Sequence, residues 1–293
     1  MENTMKRLTV MLTGLFMSMH VFANTILTPV WTSPAELKNP ESVIYDPITK
    51  LLYVSNVNGS PLDVDGNGFI SQLSVDGKIQ KLHWLDELNA PKGLALNGNN
   101  LYVSDINELV VIDIAEQRII KRYPAEGAKF LNDVAVDKQG NVYVSDMMTD
   151  RIYRLADDKF DIWMEDPALE APNGLLVEHN NLIVASWGHM TNGFETETPG
   201  HLKIIDLITH QMKSLGDQSP AGNLDGIEAD GQGNYLVTDW LNGRLLKITP
   251  QGHSETLIEF NQGSADHTVM PEKDLVIVPM MMDNVITAFR INR

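Results

Sequence analysis

The stretch Asn132-Asp-Val-Ala-Val-Asp-Lys-Gln-Gly-Asn-Val-Tyr-Val-Ser-Asp146 is the clearest copy of a phrase that returns along the whole chain. A polar residue opens the phrase, a short apolar run follows, and after a turn comes a strand that ends in a polar residue. The openings are Glu41-Ser-Val, Lys92-Gly-Leu, Asn132-Asp-Val, Asn173-Gly-Leu, Asp225-Gly-Ile and His267-Thr-Val. The matching strands include Tyr53-Val-Ser-Asn56, Tyr102-Val-Ser-Asp105, Tyr143-Val-Ser-Asp146 and Leu236-Val-Thr-Asp239, with Ile183-Val-Ala-Ser186 and Ile277-Val-Pro-Met280 as looser copies. Copies recur roughly every 40 to 50 residues, the period of a propeller blade. Each is followed by another apolar strand, such as Arg151-Ile-Tyr-Arg-Leu155, and by an outer one, such as Phe160–Trp163. The expectation is an all-β, six-bladed β-propeller with four-stranded antiparallel blades.

The remaining sequence sets the bounds. Lys6 and Arg7 precede an apolar run from Leu8 to Val21, and Ala23 offers a small residue for cleavage. Residues 1–23 therefore read as a signal peptide, and the expected location is exported, either periplasmic or secreted. Residues 24–293 read as a single propeller domain, because the repeats run nearly end to end without a linker. No later segment is long and apolar enough to span a membrane. There are no cysteines, so disulfides, thiolate metal sites and a cysteine nucleophile are excluded. The net charge of −17 repels nucleic acid. Neither a phosphate-binding glycine loop nor a Gly-x-Ser-x-Gly elbow appears. A closed ring needs a partner for the last blade, and Thr25–Trp31 can supply its outer strand.

If the blades share an axis, the opening residues meet there. Glu41, Asn132, Asn173 and Asp225 then bring two carboxylates and two amides together. Two carboxylates held close would repel unless one were protonated, and a cation removes that conflict. Ca²⁺ takes 6–8 oxygens at loose geometry, whereas Mg²⁺ is stricter and Zn²⁺ favours nitrogen and sulfur. Another hard divalent cation stays open at this point.

These residues carry a resemblance. The Glu after Pro40, the Asn132-Asp pair, Pro172-Asn173-Gly and Asp225-Gly are similar to motifs of the senescence marker protein/gluconolactonase/regucalcin-like family of six-bladed propellers, relatives of diisopropyl-fluorophosphatase. The resemblance covers residues 40 to 291. It implies that Glu41, Asn132, Asn173 and Asp225 hold a catalytic divalent metal in the central tunnel, and that a small-molecule lactone or ester is hydrolysed. Sugar-lactonase members often carry an Arg just before the Asn132 position. Here Phe130-Leu131 stands instead, which favours a more apolar substrate.

Asp225 is the candidate nucleophile or general base, with Lys92 or His267 set to stabilise a developing oxyanion. Glu228 and His267 are candidates for a second metal, by resemblance to the fluorophosphatase. The insertion Trp187–Gly200 is expected to overhang the tunnel, with Trp187, His189, Phe194, His201, Trp240 and Met280 to Met282 as rim candidates. Asp63-Val-Asp65-Gly-Asn67-Gly starts like an EF-hand loop, but Ser74 replaces the closing Glu, so it reads as an inter-strand loop beside the mouth. The competing function is a non-catalytic ligand- or protein-binding propeller with calcium as a structural pin.

Overall fold

A computed structural model describes residues 27–292; the expected signal segment 1–23 lies outside them. Six four-stranded antiparallel sheets form a ring. The described residues contain no α-helix, only three single-turn 3-10 segments. None of their helices is long and apolar enough to cross a membrane. The inner strands are Pro40–Asp46, Pro91–Asn97, Leu131–Val136, Pro172–Glu178, Leu224–Ala229 and Thr268–Met270.

Burial explains the composition of each layer. The second strands are apolar almost throughout because neighbouring blades cover both faces; Val142–Asp146, for example, is buried at every position. Outer strands such as Arg118–Pro124 show one face to water and carry charge there. The core consequently lies between blades. Tyr53 and Ile70 of the first blade pack on Leu94 and Val103 of the second. Ile183 and Leu202 of the fourth pack on Ile227 and Val237 of the fifth.

The ring closes through the N-terminal strand. Leu27–Thr32 pairs antiparallel with Val285–Ile291 and becomes the outermost strand of the sixth blade. This is the closure expected from the sequence, and it leaves the sixth blade no open outer position. At the axis, Asp266 N donates to Glu41 O (2.9 Å) and Val43 N to Asp266 O (3.3 Å), tying the last blade to the first.

In five blades the first strand is irregular at the opening residue. Pro40 pairs with Asn56 but Val43 with Val54, so one extra residue bulges between them. The same shift falls at Pro91/Leu94, Leu131/Val134, Pro172/Leu175 and Leu224/Ile227. A bulge re-aims side chains without breaking the sheet. Each of Glu41, Lys92, Asn132, Asn173 and Asp225 sits on one.

Hydroxyls of the second strand bridge several of these bulges. Ser145 Oγ accepts from Asp133 N (2.9 Å) and donates to Asn173 O (2.7 Å). Thr238 Oγ1 does the same between Gly226 N (2.9 Å) and Ala265 O (3.0 Å). The recurrent Ser or Thr of the phrase thus links one blade's bulge to the next blade. The acid that closes the strand has a second task. Asp146 accepts from the backbone of Lys129 and Phe130, and Asp105 from Asn89 and Ala90. Each carboxylate pins the loop that delivers its own blade's opening residue to the axis. In the fourth blade Ser186 replaces the acid. Lys203 Nζ then donates to Ser186 Oγ (3.0 Å), Leu169 O (3.2 Å) and Glu170 Oε2 (2.6 Å), pinning the loop through donors instead.

Candidate functional site

A cavity of about 290 Å³ opens at one end of the tunnel. Glu41, Lys92, Asn132, Asn173 and Asp225 all line it, each from a different blade. The four residues predicted to share a metal are therefore brought together, all at 5% exposure or less. Among the described residues no three His, Cys, Asp or Glu side chains form a metal cage by themselves. The donors that meet are two carboxylates and two amides.

The close approach that packs them needs glycine. A methyl on Gly174 would overlap the carbonyl oxygen of Asp225, and one on Gly226 would stand 2.5 Å from Asp266 Oδ1. The Gly after Asn173 and after Asp225 thus lets the next inner strand pass.

Two oxygens here are buried without a hydrogen-bond partner, Glu41 Oε2 and Asn173 Oδ1, while the Asn173 amide N–H faces Asp225. Native interiors rarely leave such atoms unpaired, and a ligand is one of the ordinary explanations. Asn132 turns its Nδ2 towards Met147 Sδ (3.9 Å), which leaves its oxygen for the tunnel. The donor set and its unpartnered oxygens fit a hard divalent cation.

Charge accumulates at this spot. Burial, then Asp225 and Asp266, push the Glu41 carboxyl well above its usual range, and Lys92 pulls it back. Burial and Asp266 likewise push Asp225 well up, while the Asn173 amide lowers it. Burial brings the Lys92 ammonium down to about 8, against the pull of Glu41.

Lys92 is 2% exposed and fully engaged. Its Nζ donates to Ala90 O (3.0 Å) and Pro61 O (3.1 Å), and lies 4.5 Å from the centre of the Phe130 ring. It fixes the first-blade loop and Phe130 to the cavity wall.

Farther along the inner strands a second cavity of about 190 Å³ is lined by Asp133, Glu228 and Asp266 among apolar residues. Burial, then Asp266, raise Glu228 to about 8, and burial raises Asp266 to about 7, with Ser42 Oγ donating to its Oδ2 (2.5 Å). His267 is buried with both ring nitrogens unpartnered and lines neither cavity; burial pushes it down to about 3. Asp133 and Asp266 were not singled out in the sequence, although each sits beside an opening residue. Asp133 accepts from Leu175 N (2.6 Å) and Val134 N (2.6 Å).

The fourth-blade insertion folds as a hairpin, Gly188–Asn192 with Glu195–Pro199. Its tip residue Phe194 lines the main cavity with Trp187, Trp240, Met281 and Met282. Trp187 Nε1 donates to Phe194 O (2.9 Å), which fixes the hairpin. His189, His201 and Met280 do not line the cavity. His201 Nε2 lies 2.8 Å from Ser214 Oγ on the blade's outer side. In the first-blade loop Gly59 and Pro61 line the mouth, and both Asp65 oxygens accept from Asn67. Asp65 thus serves its own turn.

The family model of the SMP-30/gluconolactonase/LRE-like region matches residues 39–268. The chain belongs to that family. No curated protein matches the chain in sequence. Among solved structures it is similar to a gluconolactonase of Xanthomonas campestris, at 14% identity and a TM-score of 0.67, covering 93% of this chain and 99% of that one. It is also similar to a catalytically inactive virginiamycin B lyase of Staphylococcus aureus with quinupristin, at 11% identity and a TM-score of 0.60, covering 91% and 98%. A nidogen/laminin complex contains a further match, at 17% identity and a TM-score of 0.59, covering 74% and 79%. At these identities the solved structures establish the fold, and the family rests on the matched region.

Proposed function

We propose that the chain is a calcium-dependent hydrolase of the gluconolactonase type that acts on a lactone or related ester at the tunnel mouth. One observation carries the reading. Four oxygen-bearing side chains from four blades meet on the wall of an open cavity, and Glu41 Oε2 and Asn173 Oδ1 lack partners there. Glu41, Asn132, Asn173 and Asp225 would hold the cation, with calcium favoured by the all-oxygen donor set. When bound, it supplies Lewis-acid polarisation of a substrate carbonyl.

The chain's own groups do the rest. Asp225 is the nucleophile or general base, because a carboxylate with one oxygen on the cation can present the other to the substrate or to water. Among the described residues Lys92 is the one cationic side chain on the cavity wall, and it contributes charge there while its donors hold Ala90 and Pro61 and its ammonium lies over Phe130. His267 lies buried as a neutral ring outside both cavities, which removes it as an oxyanion donor in the main one; with Glu228 it is kept as the candidate pair for a second cation. Export to the periplasm or medium, read from residues 1–23, belongs to the same proposal.

Asp225→Asn tests the mechanism. Turnover should vanish while the urea unfolding curve stays close to that of the parent. An unchanged rate would remove Asp225 from the chemistry.

A further inference from the structure

The wall above the candidate metal residues has little free hydrogen-bonding capacity. Beyond Glu41, Asn132, Asn173 and Asp225, its polar side-chain groups are the Asn39 amide, the Lys92 ammonium and the indole N–H groups of Trp187 and Trp240. Lys92 is engaged by two carbonyls and the Phe130 ring, and Trp187 gives its N–H to Phe194 O. The Asn39 amide, whose Nδ2 reaches Met281 O at 3.5 Å, and the Trp240 N–H are left for a ligand. The rest is carbon and sulfur, led by Phe130, Met147, Phe194 and Met281 with the ring carbons of both tryptophans. The apolar character continues outward, since Phe194 is 36% and Met282 57% exposed at the mouth, and Leu62 beside Pro61 is 43% exposed.

A polyhydroxylated lactone would bury hydroxyls against this wall. Each one left without a partner forfeits at least about fivefold in affinity. An alkyl or aryl substituent loses nothing there and gains from leaving water. The volume of about 290 Å³ is at the small end for ligand pockets, enough for one ring or a medium alkyl chain beside the reacting group.

We infer that the substrate is a lactone or ester carrying an uncharged apolar substituent, and that Phe130, Trp187 and Phe194 select it. This rests on the hydrolase reading above. The aromatic rings set the geometry of the slot. Phe130 meets Phe194 edge-on at 5.5 Å between centroids, and Trp187 lies 6.2 Å from Phe194 and 6.1 Å from Trp240. Phe130 is held from behind by the Lys92 ammonium, so the selecting face is fixed before substrate arrives.

The test is a chain-length series. With calcium present, kcat/KM is measured for γ-lactones from unsubstituted to pentyl-substituted and for glucono-δ-lactone. The expected rise is about threefold per added methylene until the slot is full, with the sugar lactone at least about tenfold below the best alkyl lactone. Phe194→Ser, at the exposed hairpin tip, should flatten the chain-length dependence while its melting curve stays parental. A flat series, or a preference for glucono-δ-lactone, overturns the inference and leaves the hydrolase reading intact. Absence of turnover on every lactone overturns the hydrolase reading instead. In that case, quenching of tryptophan fluorescence decides the pocket: tighter binding of the pentyl lactone than of the sugar lactone supports an apolar slot, and equal or weaker binding overturns it.

Discussion

Replacing Asp146 with alanine should cost the fold about 3–5 kcal/mol. The carboxylate is fully buried at the end of the third blade's second strand. Its Oδ1 accepts from Phe130 N (3.0 Å) and Met148 N (3.2 Å), and its Oδ2 from Lys129 N (2.9 Å). Alanine removes all three acceptors and leaves three amides unpaired. Bonds to a charged acceptor are worth about 1.5–3 kcal/mol each, and water reaching the amide of the exposed Lys129 returns part of the sum. Asparagine keeps one oxygen and so most of the Phe130 contact, and should cost about 1–2 kcal/mol. The assay is urea unfolding followed by tryptophan fluorescence, comparing midpoints at constant m. The same loop carries Phe130 to the cavity wall and Asn132 to the candidate metal site, so calcium affinity should fall alongside stability. An alanine variant within about 1 kcal/mol of the parent, or an asparagine variant as damaged as the alanine one, would refute the pinning argument.

Other predictions follow from neighbouring features. Gly174→Ala should destabilise by about 1–3 kcal/mol and weaken calcium binding, because the new methyl overlaps the Asp225 carbonyl; calorimetric calcium titration checks the second effect. In EDTA, stability should decline as pH rises from about 4 to about 8. Glu228 and Asp266 are raised to about 8 and about 7, so the folded chain keeps protons that the unfolded chain has lost, and the stability present below the ordinary carboxylate value drains through that window. Glu228→Gln should flatten that decline, as read from urea midpoints across pH. Removing the closure strand Leu27–Thr32 should lower the urea midpoint and promote association, since it strips the paired edge from Val285–Ile291; size-exclusion chromatography reads the second effect.

The ring was legible because its signal is redundant. Six opening residues and six apolar strands repeat roughly every 40 to 50 residues, and a single irregular copy, such as Val-Ile277-Val-Pro-Met280, does not blur the pattern. The candidate metal set was legible for the same reason: residues at one register of a ring must converge. The closing acids read as turn formers from sequence. Their actual partners, the amides of the loop leading into the same blade's opening residue, are set by pairing across the sheet.

Direction was harder to read than position. Lys92 shares the register of Glu41 and Asn132, but its ammonium settles on Pro61, Ala90 and Phe130, partners supplied by an insertion and by the next blade. The histidines of the fourth blade were misplaced for a similar reason. Once Gly188–Pro199 folds as a hairpin, Phe194 reaches the mouth and His189 and His201 do not. Asp133 and Asp266 were passed over because a polar residue beside an opening looks like a turn residue until the neighbouring blade closes over it.

The central claim is that cations and catalysis meet at Glu41, Asn132, Asn173 and Asp225. The most direct test is hydrolysis of lactones, aryl esters and a phosphotriester by purified residues 24–293, in calcium, after EDTA, and after calcium is restored. The account predicts turnover that EDTA abolishes and calcium recovers. Turnover indifferent to EDTA would contradict it, and so would a protein that calcium stabilises against melting yet that cleaves none of the substrates.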